Sequence, residues 1–542
     1  MARWRCSTRN SRSTDKLVAA DEGWCAALRR RGIDPGKVRG VPLSAGHFGF
    51  PDEVGKRMAR VVGFCQEDEK DLPWAHPIDG LVAYVDLIGQ QVQKIVDDVD
   101  MPVPQERGEW DAAPHASAQR NTLKPLEITQ PDGPSFQIAD DVLTWENWAM
   151  RIGFDGREGL ILNQVSFLDQ GRRRPVLYRG SVAEMVVFYA DPSPSRFYQN
   201  YFDTGEYMFC RYTNSLKLGC DCLGEIHYLD ATIADDHGRP VTIANAICIH
   251  EEDYGLLWKH NDMFNGMAES RRSRRLVVSF FTTIGNYDYG FYWYFYLDGT
   301  IELEAKATGV VFTSALPDGD SPHANEVAPG LGAPFHQHMF CARLDMAVDG
   351  DVNAVDEVDA ARVPKGPGNP HGNAFTRTIT RLRTEAEGQR AGDTSVGRVW
   401  RITNPDSRNR LGNPVGYALH SQNAPLMLAD DDSSTHRRAT FATKHLWVTR
   451  YDVEERYPAG EYVYQNPGGA GLPAWMAADR PIDGEDIVLW HTFGLTHFPR
   501  PEDWPVMPMD YAGFKLKADG FFDRNPTLDV PPSKAGTACC EK

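Results

Sequence analysis

The chain has 542 residues, with 57 Lys and Arg against 75 Asp and Glu, a formal net charge of −18 at pH 7. That balance argues against a nucleic-acid partner, since nothing offsets phosphate charge, and suits a surface that attracts cations such as protonated amines or simply stays soluble. No apolar run reaches the length of a membrane span, and 36 Pro with 48 Gly favour turns over long helices.

The first sixteen residues carry Arg3, Arg5, Arg9, Arg12 and Lys16 without an apolar core, so an ordinary secretory signal is excluded and a cytoplasmic protein is expected. They form an unmatched tail, 1–16. Residues 17–105 read as a small α+β domain. In it Trp24 to Arg31 predicts a short helix, closed by Gly32 and Pro35-Gly36, and strands are predicted over 38–43, 60–64, 80–87 and 91–97. Residues 106–131, with Gly108, Pro114, Pro125 and Pro131, form a surface linker. Trp74, in Leu72-Pro73-Trp74-Ala75, reads by itself as packing in the small domain's core. From 132 to 535 short strands with Gly, Pro and Asp punctuation predict a large β-sandwich, and 536–542 is a C-terminal tail. The predicted fold class is mainly β: a large antiparallel β-sandwich preceded by one small α+β domain.

Within the sandwich, Leu276 to Ile284 predicts a buried strand that Gly285 breaks. The aromatic run Gly290 to Leu297 follows, then Asp298-Gly299, a strong hairpin signal. Ile301 to Lys306 alternates apolar and charged residues, which predicts one buried and one wet face. Most of these rings are hairpin core. Between the two strands stands Asn286-Tyr287-Asp288-Tyr289.

His336-Gln337-His338 places two imidazoles on one side of a strand, where both can reach one ion. Taken alone such a pair is more often incidental, and three imidazoles suit Zn(II), Cu(II) or Fe(II) equally. Asp203, beside Gly205, reads by itself as a turn residue, and Tyr201 as an ordinary core or channel-wall ring. Of the ten Cys, Cys6, Cys25, Cys65, Cys210, Cys341, Cys539 and Cys540 are most simply free thiols, and Cys220-Asp221-Cys222 lacks the two-residue zinc spacing. Gly468-Gly469-Ala470-Gly471 is not a dinucleotide fingerprint, and no phosphate-binding loop occurs.

Four stretches together resemble the copper amine oxidases: Thr282 to Gly309 around Tyr287, Phe188-Tyr189-Ala190-Asp191-Pro192, Asn200 to Glu206, and Gly494 to Pro505. The resemblance runs over roughly residues 17–535 and is strongest to bacterial phenylethylamine, tyramine and histamine oxidases. It implies oxidative deamination of primary amines to aldehyde, ammonia and hydrogen peroxide. Tyr287 would be converted by the protein itself, with Cu(II) and dioxygen, to topaquinone. His336, His338 and His497 would hold the copper, His491 being structural. Asp203 would be the base that removes a proton from the carbon beside the amine nitrogen. Tyr189 would hydrogen-bond the quinone oxygen, Asn286 would limit ring rotation, Tyr201 would gate the substrate channel and Trp74 would line its mouth.

The same resemblance implies a Cys222–Cys248 disulfide, a peripheral Ca²⁺-like site at Asp345, Met346, Asp486 and Ile487, a homodimer, and arylalkylamine substrates. It also implies a further small domain ahead of this one, for which the chain starts too late. The alternative is a catalytically silent metal-binding β-sandwich with a structural or interaction role. Tyr287, Asp203, Tyr189 and three His in one chain favour the enzyme.

Overall fold

A computed structural model describes residues 8–110, 119–422 and 424–532. Cys6, Cys539, Cys540, the predicted tail 536–542 and part of the predicted linker lie outside the described residues. Helix α1 (Thr8–Ala19) runs across the boundary expected at 16/17, and α2 (Glu22–Arg30) follows. Asp21 starts α2 by accepting a hydrogen bond from the Trp24 amide at 2.8 Å. Strands β1 (Val38–Ser44), β2 (Met58–Cys65), β3 (Pro77–Asp86) and β4 (Gln91–Asp97) pair antiparallel in chain order. Val18, Trp24, Ala27 and Leu28 bury one helical face against Val61, Ile78, Leu81 and Val85 of this sheet. The described residues between β4 and Phe136 form no helix or strand.

The remainder is mainly strands, as its punctuation predicted, with two short helices, α3 (Ser434–Arg438) and α4 (Leu472–Trp475). The strands are β5 (Phe136–Ala139), β6 (Val142–Trp145), β7 (Trp148–Asp155), β8 (Gly159–Asp169), β9 (Arg172–Tyr189) and β10 (Asn200–Tyr201). Then come β11 (His227–Ala234), β12 (Pro240–Asn261), β13 (Ala268–Ile284), β14 (Tyr287–Tyr296), β15 (Ile301–Gly309), β16 (Ser314–Ala315), β17 (Ala324–Ala328), β18 (Leu331–Pro334) and β19 (His336–Met346). Last are β20 (Ala354–Arg362), β21 (Phe375–Leu382), β22 (Val399–Arg408), β23 (Pro414–Gln422), β24 (Leu446–Arg450), β25 (Ile487–His497) and β26 (Met507–Ala518).

Two large sheets result, one ordered β24-β25-β19-β9-β8-β7-β6-β5 with β10 on β9, the other β11-β12-β13-β14-β15-β26-β23-β22-β20-β21. Trp148, Phe167, Val187 and Phe340 from the first meet Phe291, Trp293, Leu303 and Phe514 from the second in one core. Trp148 and Phe295 cross the layers at 5.3 Å between ring centroids. Aromatic residues of β14 alternate accordingly, with Tyr287, Tyr289, Phe291, Trp293 and Phe295 inward and Tyr294 and Tyr296 in a separate outer cluster.

β13 and β14 join through Gly285-Asn286, with Ile284 paired to Tyr287. Gly285 sits at φ 61°, a left-handed angle suited to Gly at the first centre of a two-residue hairpin turn. Asp298-Gly299 reverses the chain into β15 as predicted. The charged face of β15 is not wet throughout. Glu302 is buried because β26 pairs alongside, the Tyr296 hydroxyl donates to it and Lys515 Nζ lies 3.3 Å away. Among the described residues no helix is long and apolar enough to cross a membrane.

Candidate active site

β19 lies between β9 and β25, and the ladder places His336 directly opposite Tyr189 on one side and His497 on the other. β25 approaches β19 so closely at Gly494 that a Cβ there would meet the His338 carbonyl oxygen at 1.9 Å. His338, two residues along, shares the inward face with His336. The side-chain nitrogens of His336, His338 and His497 lie within 4.8 Å of one another, all three residues buried. The sequence pair and its distant partner thus meet in one site. His491 does not join them: its Nδ1 donates to the His445 carbonyl at 2.7 Å.

Each imidazole is oriented from behind. His336 Nδ1 donates to the Pro334 carbonyl at 2.8 Å, and His497 Nε2 faces Asp503 Oδ2 at 3.1 Å. His338 Nδ1 is hydrogen-bonded to the Tyr289 hydroxyl at 2.8 Å. Burial opposes the Asp503 carboxylate, but hydrogen bonds from Arg500 and His497 outweigh it and hold the group below the usual carboxylate range. Burial pushes His336 down to about 3, with His497 adding to the shift. Burial likewise pushes His338 well below an ordinary His, helped by both neighbours. Rings so tethered turn His336 Nε2, His338 Nε2 and His497 Nδ1 inward.

That arrangement fits a cation. His497 Nδ1 stands 3.2 Å from His336 Nε2, and His338 Nε2 is buried with no hydrogen-bond partner. A buried polar atom without a partner is costly, and one metal ion bound by all three nitrogens gives it one.

The Tyr287 hydroxyl donates to His336 Nε2 at 2.7 Å from the opposite sheet. Burial, then Tyr189 and Asp503, raise its pKa well above an ordinary phenol. Tyr189 stacks on His336 with centroids 4.8 Å apart and hydrogen-bonds Asn286, whose Nδ2 donates to the Val310 carbonyl at 2.7 Å. Tyr287, Tyr189, Asn286, Asp203, Tyr201 and Trp74 all line one cavity of ≈ 380 Å³, which Val41, Pro42 and Leu43 of the small domain close on one side. Trp74 also packs edge-on against Phe64 at 4.7 Å, so it is wall and core at once. Asp203 is buried, and burial together with Glu206 and Glu184 raises its pKa well above an ordinary carboxylate.

Three site residues were missed in the sequence. Tyr289 carries a signal, since it is two residues after Tyr287 on the same face. Asp503 and Pro334 carry none without the fold. Cys222 and Cys248 are thiols here with sulfurs 3.0 Å apart, beyond a covalent bond of about 2.05 Å. Cys25, Cys65, Cys210 and Cys341 are free as expected. Asp345 and Asp486 approach through the pairing of Asp345 with Val488, but Arg343 lies 3.3 Å from Asp345.

Comparison with known proteins places this geometry. Residues 137–537 match the family model described as copper amine oxidase, enzyme domain. A histamine oxidase of Arthrobacter globiformis is 59% identical over 522 residues, 96% of this chain and 76% of that protein. A primary amine oxidase of Arthrobacter sp. (strain P1) is 46% identical over 95% of this chain and 80% of its own length. The crystal structure of a copper-containing benzylamine oxidase from Hansenula polymorpha superposes with TM-score 0.90 at 30% identity, covering 98% of this chain and 84% of that one. Copper is the ion the family supplies for the three imidazoles, topaquinone is its organic cofactor, and the chain belongs to the copper amine oxidases, enzymes of oxidative amine deamination.

Proposed function

We propose that the chain oxidises arylalkylamines, with Asp203 as the proton-accepting base and Tyr287 as the cofactor precursor. The observation that carries this reading is the Tyr287 hydroxyl 2.7 Å from His336 Nε2, in the wall of the cavity that Asp203 also lines. The net reaction converts a primary amine, dioxygen and water to aldehyde, ammonia and hydrogen peroxide. When bound, copper and the quinone derived from Tyr287 supply the electrophilic carbonyl and the two-electron oxidation. The protein's own share is binding, orientation and proton transfer. Asp203 receives the proton from the carbon beside the amine nitrogen, and its raised pKa makes it a stronger base than a solvated carboxylate. Tyr189 and Asn286, hydrogen-bonded to each other and lining the same cavity as Tyr287, are assigned the orientation of its ring.

The substrate preference follows from the wall. Trp74, Tyr201, Tyr207, Tyr212 and Phe312 give it flat apolar surface, and Asp203 is the one carboxylate among its described lining residues. A flat ring fits such a lining, whereas a diamine wants a second carboxylate at the far end. The name of the Arthrobacter globiformis relative, a histamine oxidase, points to the same substrate shape. Peroxide release by copper-loaded protein on phenylethylamine and on putrescine tests the reading. Faster turnover of putrescine would sink the preference, and an unchanged ratio in Trp74→Ala would return Trp74 to a packing role.

A homodimer is part of the proposal. The tip of the β12–β13 hairpin holds Met263 at 87% and Phe264 at 92% exposure, an apolar end suited to a partner. Light scattering that found only monomer would contradict it. A Cys222–Cys248 disulfide is proposed from the sulfur approach, to be checked by thiol counting before and after reduction. For the site at Asp345, Met346, Asp486 and Ile487, Ca²⁺ remains the proposed ion, and a Ca²⁺-dependent rise in Tm is its test.

A further inference from the structure

We propose that Glu184 is a positioning residue for the reaction: from the strand behind the cavity it holds the turn that aims Asp203. The inference rests on the reading of Asp203 as base. It concerns a side chain outside the cavity lining.

Asp203 lies in a turn, Asp203-Thr204-Gly205-Glu206, that belongs to no strand or helix. No sheet ladder fixes its place. Two carboxylates do so instead. Glu206, within the turn, accepts from the Phe202 amide at 3.2 Å, the Ser44 hydroxyl at 2.7 Å and Arg438 Nη2 at 2.5 Å. Glu184 reaches the turn from β9, where the ladder with β19 shifts register between Cys341 and Ala342. Its Oε1 accepts from the Gly205 amide at 3.0 Å and from its own neighbour, the Met185 amide, at 3.0 Å.

The fit is close. A Cβ on Gly205 would lie 2.5 Å from Glu184 Oε2 and 2.6 Å from Val463 Cγ2, so the turn rests directly on the carboxylate. Glu184 is fully buried, and its Oε2 has no hydrogen-bond partner. The nearest cation, Arg157 Nη2, stands 3.6 Å from that oxygen. Gln would serve the Gly205 amide equally well at lower desolvation cost. Burial raises the Glu184 carboxyl to about 7, Arg157 and the two backbone amides opposing the shift, so its anion forms only from near-neutral pH upward, and there it lies beside Asp203. The groups acting on Asp203 are Glu206 and Glu184, both of which favour its protonated form. The Tyr189 and Tyr289 phenols interact with it in turn. The groups facing Glu184 are Arg157, Glu206 and the two backbone amides.

Three variants of the copper-loaded enzyme test this. Glu184→Ala, at parental copper content and quinone stain, is expected to lose about 10²-fold in kcat with little change in KM, the scale of a misplaced catalytic group. Glu184→Gln keeps an acceptor for Gly205 and should recover most of that loss. Its acid limb in kcat/KM should move to lower pH, because the Glu184 carboxylate, ionised above about 7, no longer opposes ionisation of Asp203. A merely structural role would shift Tm in both variants without moving the limb or separating kcat from KM. Parental kcat and limb in Glu184→Ala overturn the proposal. If Glu184→Ala does not fold or load, an unmoved limb in Glu184→Gln overturns it. Asp203→Asn is measured in parallel: parental turnover there removes the base assignment itself, whereas an impaired Asp203→Asn beside a parental Glu184→Ala removes only the positioning role.

Discussion

Tyr289 and His338 are hydrogen-bonded across the two sheets, hydroxyl to Nδ1, at 2.8 Å. Together with the Tyr287–His336 contact at 2.7 Å, this makes the Asn-Tyr-Asp-Tyr run a double clamp on the imidazole cluster: one phenol is the proposed cofactor precursor, the other orients a ring. The two differ in what lies beyond them. Tyr287 reaches a nitrogen free to bind metal, while Tyr289 reaches the far nitrogen of a ring whose other nitrogen does so.

Tyr287→Phe should therefore bind copper with near-parental affinity, because all three imidazoles keep their tethers. It should show no quinone stain and no amine-dependent peroxide. Metal content by elemental analysis beside the redox-cycling stain checks both halves, and a stained variant would refute the assignment of the cofactor.

Asp203→Asn should retain copper and quinone and lose about 10²–10⁴ in kcat, the usual range for a general base. Single-turnover mixing with amine in the absence of dioxygen isolates the step; parental bleaching of the quinone colour would clear Asp203 of the role.

The pH profile follows from the same group. Burial, Glu206 and Glu184 raise the Asp203 pKa, and the base acts only when ionised. Activity should fall as pH drops through that raised pKa, so the acid limb of kcat/KM lies above the ordinary carboxylate range near about 4. A limb at the ordinary value would show Asp203 solvated in the free enzyme.

Metal loading should separate binding from oxidation. Zn(II) and Cu(II) both suit three imidazoles, so each should raise the Tm of metal-free protein, by an amount that grows with the ratio of free ion to Kd. Only copper in air should bring up the quinone. A quinone formed with zinc would mean that the metal's redox chemistry is not required.

Asp79 of the small domain ties it to the cavity region. Its carboxylate accepts from Arg196 Nε at 2.8 Å and from the Ala315 amide, and Arg196 Nη2 donates to the Thr313 carbonyl at 3.0 Å. Both partners are buried. Asp79→Asn should cost about 3–5 kcal/mol, the scale of breaking a buried pair from one side, and proteolysis should then nick the small domain earlier than in the parent.

Strand existence and the hairpin around Tyr287 were legible because they depend on local pattern: β-branched and aromatic runs, Gly285, Asp298-Gly299. The His336–His338 pair was legible for the same reason. His497 lies 161 residues from His336, and spacing alone could not choose between it and His491. Only the motif resemblance did so. Helix α1 gave no signal, since TRNSRSTDKLVA has few apolar residues; Asp15 accepting from the Gly40 amide at 3.1 Å and Val18 in the core help to hold it. Glu302 looked wet because β26, which covers it, comes from a distant part of the chain. Glu184 was passed over for a related reason: a carboxylate within a strand reads as an outward side chain until Gly205 arrives against it.

The pairing of His336 with His497 and with Tyr189 on neighbouring strands has a consequence for how such a chain tolerates change in length. Adjacent strands stand about 4.8 Å apart whatever connects them. The stretch between β19 and β25 can thus lengthen or shorten without moving the imidazoles, provided the intervening strands still pair. Within β19 the constraint is one of parity. Loss of a single residue after His338 slips the ladder by one place and turns both rings toward the opposite face, whereas loss of two restores their side but leaves His336 facing a different neighbour. Gly494 tightens the rule further, since only a residue without a Cβ passes the His338 carbonyl at that one step of the ladder. Natural length variation is expected in the connections, and its absence from β19 and β25 would mark those two strands as the part of the chain that counts residues.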